Sequence, residues 1–297
     1  MCGGARNISA TGCRVNAPYY LPAMKISRRH FLAGLGAAGA AIGADAFGLE
    51  ANRVLVSRHD VPVPGLPRPL DGLQIAQITD VHLPGNRSAA HAALEHVQSV
   101  KPDIVILNGD MTESAQAMDQ VNEFAASARG RLATIAVLGN WEYRVGAVGP
   151  AAHDAYRTSG VDLLVNQSRV VQVGGASLAL VGLDDVLMGR PDLPSARRGV
   201  PAGALEIWVV HEPIFADGAP HLSTARPLML LAGHTHGGQI RIPFMPPMKP
   251  KGAGRFLEGW YRSTFAPLYV SRGVGTTEIP ARFRCPAELP IFTLRKT

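Results

Sequence analysis

At 297 residues, with 46% apolar and 18% charged side chains, the chain has the make-up of a folded globular protein, not a disordered or fibrous one. Its net charge of +6 sits mostly at the start: residues 1–46 hold Arg6, Arg14, Lys25, Arg28 and Arg29 against Asp45, leaving 24 basic and 22 acidic residues beyond. That remainder, at +2, is too balanced to argue for nucleic acid or anionic lipid as a partner.

The first predicted element is a targeting segment. "MKISRRHFLAGLGAAGAAIGADAF" has a basic start, the pair Arg28-Arg29, an apolar Gly/Ala-rich run and a small-x-small pattern at Ala44-Asp45-Ala46. It resembles a twin-arginine export signal, which would engage the twin-arginine machinery and place the protein in the periplasm or cell envelope. The apolar run Phe31–Ala44 covers 14 residues, short of the roughly 20 a spanning helix needs. If uncleaved, the segment would still hold the protein at the membrane. Met24 is the natural start for such a signal, which would make residues 1–23 an extension. Of Cys2, Cys13 and Cys285, only Cys285 outlasts cleavage after Ala46, so no internal disulfide is expected.

Three regions follow: the extension and signal over 1–46, a Pro-rich lead-in over 47–72, and one domain over 73–297. Within the last, "LQIAQITD" (73–80) reads as a buried strand, 88–100 as a helix and "DIVILNGD" (103–110) as a strand. A helix over 115–130, with Gly130 as its cap, precedes "ATIAVLGN" (133–140) and a helix within 147–158. The second half is strand-rich: "LLVN", "RVVQV", "ASLALVGLDD", "LEIWVVHEP", "LMLLAGHTH", "QIRIP", "LYVSRGV" and "IFTLR". Residues 187–204 read as an irregular or helical insertion. Apolar strands alternating with helices call for an α/β fold whose sheet is covered by helices.

Each apolar strand ends in a potential ligand. These are Asp80 and His82, Asp110, Asn140, His211, and His234 with His236. Residues i and i+2 of an extended segment share a side, so the two paired sets could each converge on one centre. Carboxylate, imidazole and amide without thiolate suit Mn, Fe, Zn or Ni, and seven such groups suit two ions better than one. Taken singly, each has a plainer reading: Asp-x-His occurs widely, Asn-Gly-Asp can be a turn, and His211 can be a core histidine. The ordered set is what carries the inference.

The order D-x-H, G-D, G-N-x-E, H and G-H-T-H-G-G-Q resembles the calcineurin-like metallophosphoesterases over residues 70–296, and its last part, with "YVSRGVGTT", resembles their exported single-domain phosphodiesterase branch. The resemblance implies a four-layer α/β/β/α sandwich. Asp80, His82 and His236 would then hold one divalent ion, and Asn140, His211 and His234 a second. Asp110 would bridge them, and a hydroxide shared between ions about 4 Å apart would attack the phosphorus in line. The implied substrate is a phosphodiester or pyrophosphate, lipid- or nucleotide-linked substrates among them. Asp110 and His234 would take part in catalysis as well as binding.

One position departs from that family. Trp141 follows Gly139-Asn140 where relatives usually carry a histidine that approaches the phosphate. An indole has one N–H donor and no usable proton. Three readings stay open: an easy leaving group with the indole packed on the substrate, a proton supplied by Glu142, or a non-catalytic metal- and phosphate-binding envelope protein. Asp184-Asp185 reads as a pair of solvated turn carboxylates. A metallo-β-lactamase type is disfavoured because the chain has no His-x-His-x-Asp-His run, and no P-loop, G-x-S-x-G or dinucleotide fingerprint sits at a strand end.

Overall fold

A computed structural model describes Met1, residues 27–262 and residues 265–297. The expected start at Met24 and the extension 1–23, Met1 apart, lie outside the described residues. Contacts divide the chain into Met1–Ala40 and Ala41–Thr297. Helix α1 (Arg28–Ala44) buries none of its residues and continues as a wider turn over Asp45–Leu49. The whole stretch is 22 residues, long and apolar enough to cross a membrane. Counting only Phe31–Ala44 underestimated it, because the helix runs on through Phe47 and Leu49. A signal sequence meets the same criterion.

The rest of the chain runs β1 (Val54–Val63), β2 (Gln74–Ile78), α2 (Arg87–Val100), β3 (Ile104–Asn108), α3 (Met118–Ser127), β4 (Ala133–Val137), α4 (Asn140–Arg144), α5 (Gly149–Thr158) and β5 (Asp162–Leu163). It continues with β6 (Gln167–Val173), β7 (Ala176–Gly182), α6 (Leu193–Ala196), β8 (Leu205–Val209), α7 (Phe215–Gly218), β9 (Met229–Ala232), β10 (Gly259–Arg262), β11 (Pro267–Val270) and β12 (Ala287–Lys296). Among the described residues these strands form two six-stranded sheets, ordered β1-β12-β2-β3-β4-β5 and β10-β11-β9-β8-β7-β6. In the first, β2 to β5 run parallel and β12 returns antiparallel beside β2.

Alternation along the strands creates the layers. Ile75, Ile104, Ile106 and Ile135 face Leu180, Ile207, Val209 and Leu231 across the space between the sheets. Their neighbours Ala76, Val105, Leu107 and Ala136 face outward and meet Ala93 and Val97 of α2 and Val121 and Phe124 of α3. On the other outer face Trp208, Val210 and Leu230 pack with Phe215 and Phe256. Strands buried on both faces read as unbroken apolar runs, which is why they were visible in the sequence. The expected α/β/β/α sandwich is the observed one.

Several boundaries differ. The lead-in contains β1, which pairs in parallel with β12 from Val54↔Ala287 to Val63↔Lys296. The one proline of β1, Pro62, sits on an edge strand, where a missing N–H costs little, and Pro64, Pro67 and Pro69 follow after the strand has ended. Helix α3 stops at Ser127 with Ala128 as its cap, so Gly130 is not the cap. Instead it passes beneath the Ala133 and Asp103 carbonyls, where no Cβ fits. "QIRIP" makes only an isolated bridge, Ile240↔Phe283, and β10 replaces it at the sheet edge. The insertion 187–204 holds α6, which buries Leu193 and Ala196.

His59 on β1 stacks on Phe292 and meets Tyr269 and Trp260. The Trp260 indole N–H donates to its Nδ1, so the ring is held neutral. Burial lowers its pKa, against the pull of Glu288. The unfolded chain therefore takes up the proton first, and stability is lost as pH falls from about 6.5 towards the lower folded value. Scanning calorimetry of H59F should show a shallower decline in Tm between pH 7 and 5 than the wild type; equal slopes would contradict this.

Candidate metal centre

The ends of β2 and β3 are fastened to the end of β9 by buried amides. Gln77 Nε2 donates to the Ala232 carbonyl at 3.0 Å and Asn108 Nδ2 to the Leu231 carbonyl at 3.1 Å. The loops beyond also bind each other: Asp80 N–H donates to the Gly109 carbonyl, His82 N–H to Asp110, and Gly233 N–H to His211. Every residue from the expected ligand set is buried there.

Convergence does not come from extended geometry. Asp80, His82, Asp110, His234 and His236 all have left-handed backbone, with φ of 55°, 54°, 52°, 70° and 50°. Each costs roughly 1–2 kcal/mol relative to ordinary conformations, and such strain gathers at functional sites. Close packing explains the neighbouring glycines. A Cβ on Gly139 would overlap Asp110 Oδ1, and one on Gly233 would overlap Thr79 Oγ1 and Asp80 Oδ2.

Two clusters result, Asp80 with His82 and His236, and Asp110 with His211 and His234, each with donor atoms within 4.8 Å of one another. In the first, the Nε2 atoms of His82 and His236 are 3.0 Å apart, and His236 Nε2 is 3.4 Å from Asp80 Oδ1. Nitrogens each about 2.1 Å from a common ion at right angles would stand about 3 Å apart. In the second, His211 Nε2 lies 3.1 Å from Asp110 Oδ2, which is also 3.9 Å from His82 Nε2. Asp110 Oδ2 thus lies between the clusters.

The outer hydrogen bonds fix which imidazole atoms are free. His211 Nδ1–H donates to the Asn108 carbonyl at 2.8 Å, so its Nε2 lone pair faces a carboxylate oxygen. His234 Nε2–H donates to the Lys251 carbonyl at 2.8 Å, leaving Nδ1 buried without a partner. Asn140 Oδ1 is likewise buried and unpartnered. Acceptors crowded together without donors between them are what divalent ions require, so the residues present fit two such ions. The charges agree. Burial lowers the pKa of His82 and His211, but Glu113 for His82, Asp110 for His211 and Asp80 for both outweigh it and raise the net value. Burial, with His82 for one and His211 for the other, depresses His236 and His234. In each cluster the surrounding charge thus favours the cationic form of one imidazole and disfavours that of the other.

Trp141 stands at the rim of the first cluster. Its backbone N–H donates to Asp110 Oδ1 at 2.8 Å, and its indole meets the His82 ring edge-on at 5.9 Å. The Arg144 guanidinium lies over the indole at 4.8 Å. Glu142 is placed differently from the expectation that it supplies a proton. It is buried, and its two oxygens accept the backbone N–H groups of Asp110, Gly139, Met111 and Thr112. Burial and the Asp110 charge push its pKa up to about 7, yet no lone pair is left for a substrate. Glu142 braces the turn that presents Asp110 and Asn140.

Asp184 and Asp185 are also buried, not solvated. Asp184 accepts the Tyr143 hydroxyl and the Arg190 N–H, and Asp185 accepts from Leu187 and Met188, shaping the loop after β7. Sequence reasoning missed Glu113, whose Oε1 is 3.0 Å from His82 Nδ1. It also missed Arg282, buried and donating to the carbonyls of Arg272, Gly273, Gly275 and Cys285. That guanidinium holds the 272–275 turn against Asp80. Neither residue lies in a motif; only Glu113's nearness to Asp110 in the chain hinted at it.

A two-sheet sandwich with paired acid–imidazole clusters at its strand ends defines a divalent-metal site of the kind phosphoester hydrolases use. The chain belongs to the calcineurin-like phosphoesterase family, whose model matches residues 73–238. It is 30% identical to an uncharacterized metallophosphoesterase of Bacillus subtilis, YkuE, over 92% of this chain and 99% of that one. It is 26% identical to the phosphodiesterase YaeI of Escherichia coli, over 65% and 71% of the two chains. A transmembrane protein with a metallophosphoesterase domain from Danio rerio is 27% identical, over 80% of this chain and 56% of that one.

Glu142→Gln should lower stability by about 3 kcal/mol in urea titration and reduce bound metal, because an amide NH₂ would face backbone N–H donors. Unchanged stability with a lost basic limb in the pH–rate profile would instead mark Glu142 as a proton donor.

Proposed function

We propose that the protein is an exported, dinuclear metal-dependent phosphoesterase acting on phosphodiesters or pyrophosphates. Asp80, His82 and His236 would hold one divalent ion, Asn140, His211 and His234 the other, and Asp110 would serve both. The observation that carries this reading is the Asp110 carboxylate lying between two buried clusters, with Nδ1 of its cluster-mate His234 and Asn140 Oδ1 each buried without a partner. The donor set accepts Mn, Fe, Zn or Ni.

Two such ions supply Lewis acidity and an acidified water. The chain's own residues do the rest. The Asn108 and Lys251 carbonyls fix the tautomers of His211 and His234, and Glu113 orients His82. Trp141 N–H holds Asp110 Oδ1, so Oδ2 is the carboxylate oxygen that would be offered to the metal site. With Glu142 committed to the backbone and an indole at position 141, neither of these side chains can protonate the leaving oxygen. A phosphoanhydride or an aryl diester, whose leaving group needs no acid, suits this site better than an alkyl monoester. The relative described as a phosphodiesterase supports the same choice. The N-terminal segment delivers the folded chain across the cytoplasmic membrane, and the 22-residue helix would anchor it there if retained.

The indole also favours a second reading, a metal- and phosphate-binding envelope protein with little turnover. Steady-state kinetics of the metal-reconstituted chain separates the two. Hydrolysis of bis(p-nitrophenyl) phosphate or pyrophosphate supports the enzyme; retained metal without turnover of either supports the binding protein. Trp141→His should raise kcat on alkyl diesters by about 10²-fold while changing the aryl diester little. An equal change on both would place position 141 outside leaving-group chemistry.

A further inference from the structure

The segment after "QIRIP" carries an unusual surface. Ile242, Phe244, Met245 and Met248 are all exposed, Phe244 completely and Met248 at 77%. The stretch 242–251 holds Lys249 and Lys251 and no acidic residue. Exposed apolar side chains concentrated on one loop mark an interaction site.

The loop is tied down at both ends, to the 282–285 strap at its start and to the metal centre at its end. At its start, Arg241 N–H donates to the Phe283 carbonyl and Phe283 N–H to Gln239. At its end, the Lys251 carbonyl accepts His234 Nε2–H. The other side of the 282–285 strap holds the segment following the N-terminal helix. Arg282 N–H donates to the Ala46 carbonyl, and the Glu50 carboxylate accepts the N–H groups of Arg284 and Cys285. Segment 46–50, the strap and segment 239–241 therefore lie side by side. Exposed Phe47 and Ile279 line a cleft of about 370 Å³ that also includes Asn86, Thr277 and Glu113, the residue touching His82.

We infer that this face seats on a lipid bilayer and that the substrate is a phosphoester carried by a membrane lipid, taken from the membrane plane. The second half of the inference rests on the phosphoesterase reading. A bilayer is favoured over a protein partner by continuity. The chain meets this face at Ala46, within two residues of the end of α1, whose helical stretch has spanning length. Apolar side chains followed by lysines match the order of an acyl boundary and anionic headgroups.

The test uses the full chain reconstituted in phosphatidylethanolamine–phosphatidylglycerol vesicles, with Cys2 and Cys13 replaced by serine. A fluorophore at Phe244→Cys should be quenched at least threefold more by spin-labelled lipid than one at exposed Leu132→Cys, just before β4. Equal quenching overturns the bilayer seat, including in favour of a protein partner. In the same vesicles, the double variant Phe244→Asp, Met245→Asp should lose at least tenfold activity on CDP-diacylglycerol and keep its rate on soluble aryl diester. Wild-type turnover of the soluble diester without turnover of the lipid, or no loss in the variant, overturns the lipid-substrate claim. Strong quenching with no turnover of either defeats the phosphoesterase reading and leaves the bilayer seat standing.

Discussion

Left-handed backbone at Asp80, His82, Asp110, His234 and His236 is the constraint on which the site depends. A strand that stayed extended would carry its carboxylates and imidazoles onward along the sheet. A left-handed turn at the strand end folds them back over the seam between the two sheets. Side chains from β2, β3, β8 and β9 then meet in a volume where no single loop could gather them. The conformation is held by hydrogen bonds between the loops themselves and by glycines placed where any Cβ would strike a ligand.

The sandwich supports this arrangement from behind. Gln77 and Asn108 reach across the apolar layer between the sheets to carbonyls at the end of β9, so the two halves of the site keep register. Glu142 and Arg282 act as mirror-image braces. One is an anion gathering four backbone N–H groups under Asp110; the other is a cation gathering four carbonyls beside Asp80. Each charge is satisfied by peptide dipoles, so the donor atoms of the clusters stay unneutralised. Buried charge without a local counter-ion would be costly, and this full hydrogen bonding is what makes it tolerable.

Much of this was legible in the sequence. Strands buried on both faces read as apolar runs, and polar residues at their ends stood out, so the layers and the six side chains of the two clusters were visible before their geometry. The fastenings were not. Glu113 and Arg282 look like ordinary surface charges in the chain, and only packing shows that one touches His82 and the other is enclosed. Glu142 misled for the opposite reason: an acid beside a ligand suggests chemistry, whereas its position three residues beyond Gly139 lets it cap the turn. Strand β1 was hidden because edge strands need neither continuous apolar character nor freedom from proline.

Trp141 gains its meaning from these fastenings. With Glu142 withdrawn to the backbone, the indole against His82 is what the site offers beside Asp110 and Asn140, and it directs the reading to leaving groups that depart unaided. All of that presumes two ions sharing Asp110. Crystals of the metal-loaded protein, with anomalous data collected across the absorption edges of Mn, Fe, Ni and Zn, test it most directly. Two peaks are expected, one among Asp80, His82 and His236 and one among Asn140, His211 and His234, both in contact with Asp110. A single peak, or two that do not share that carboxylate, would contradict it.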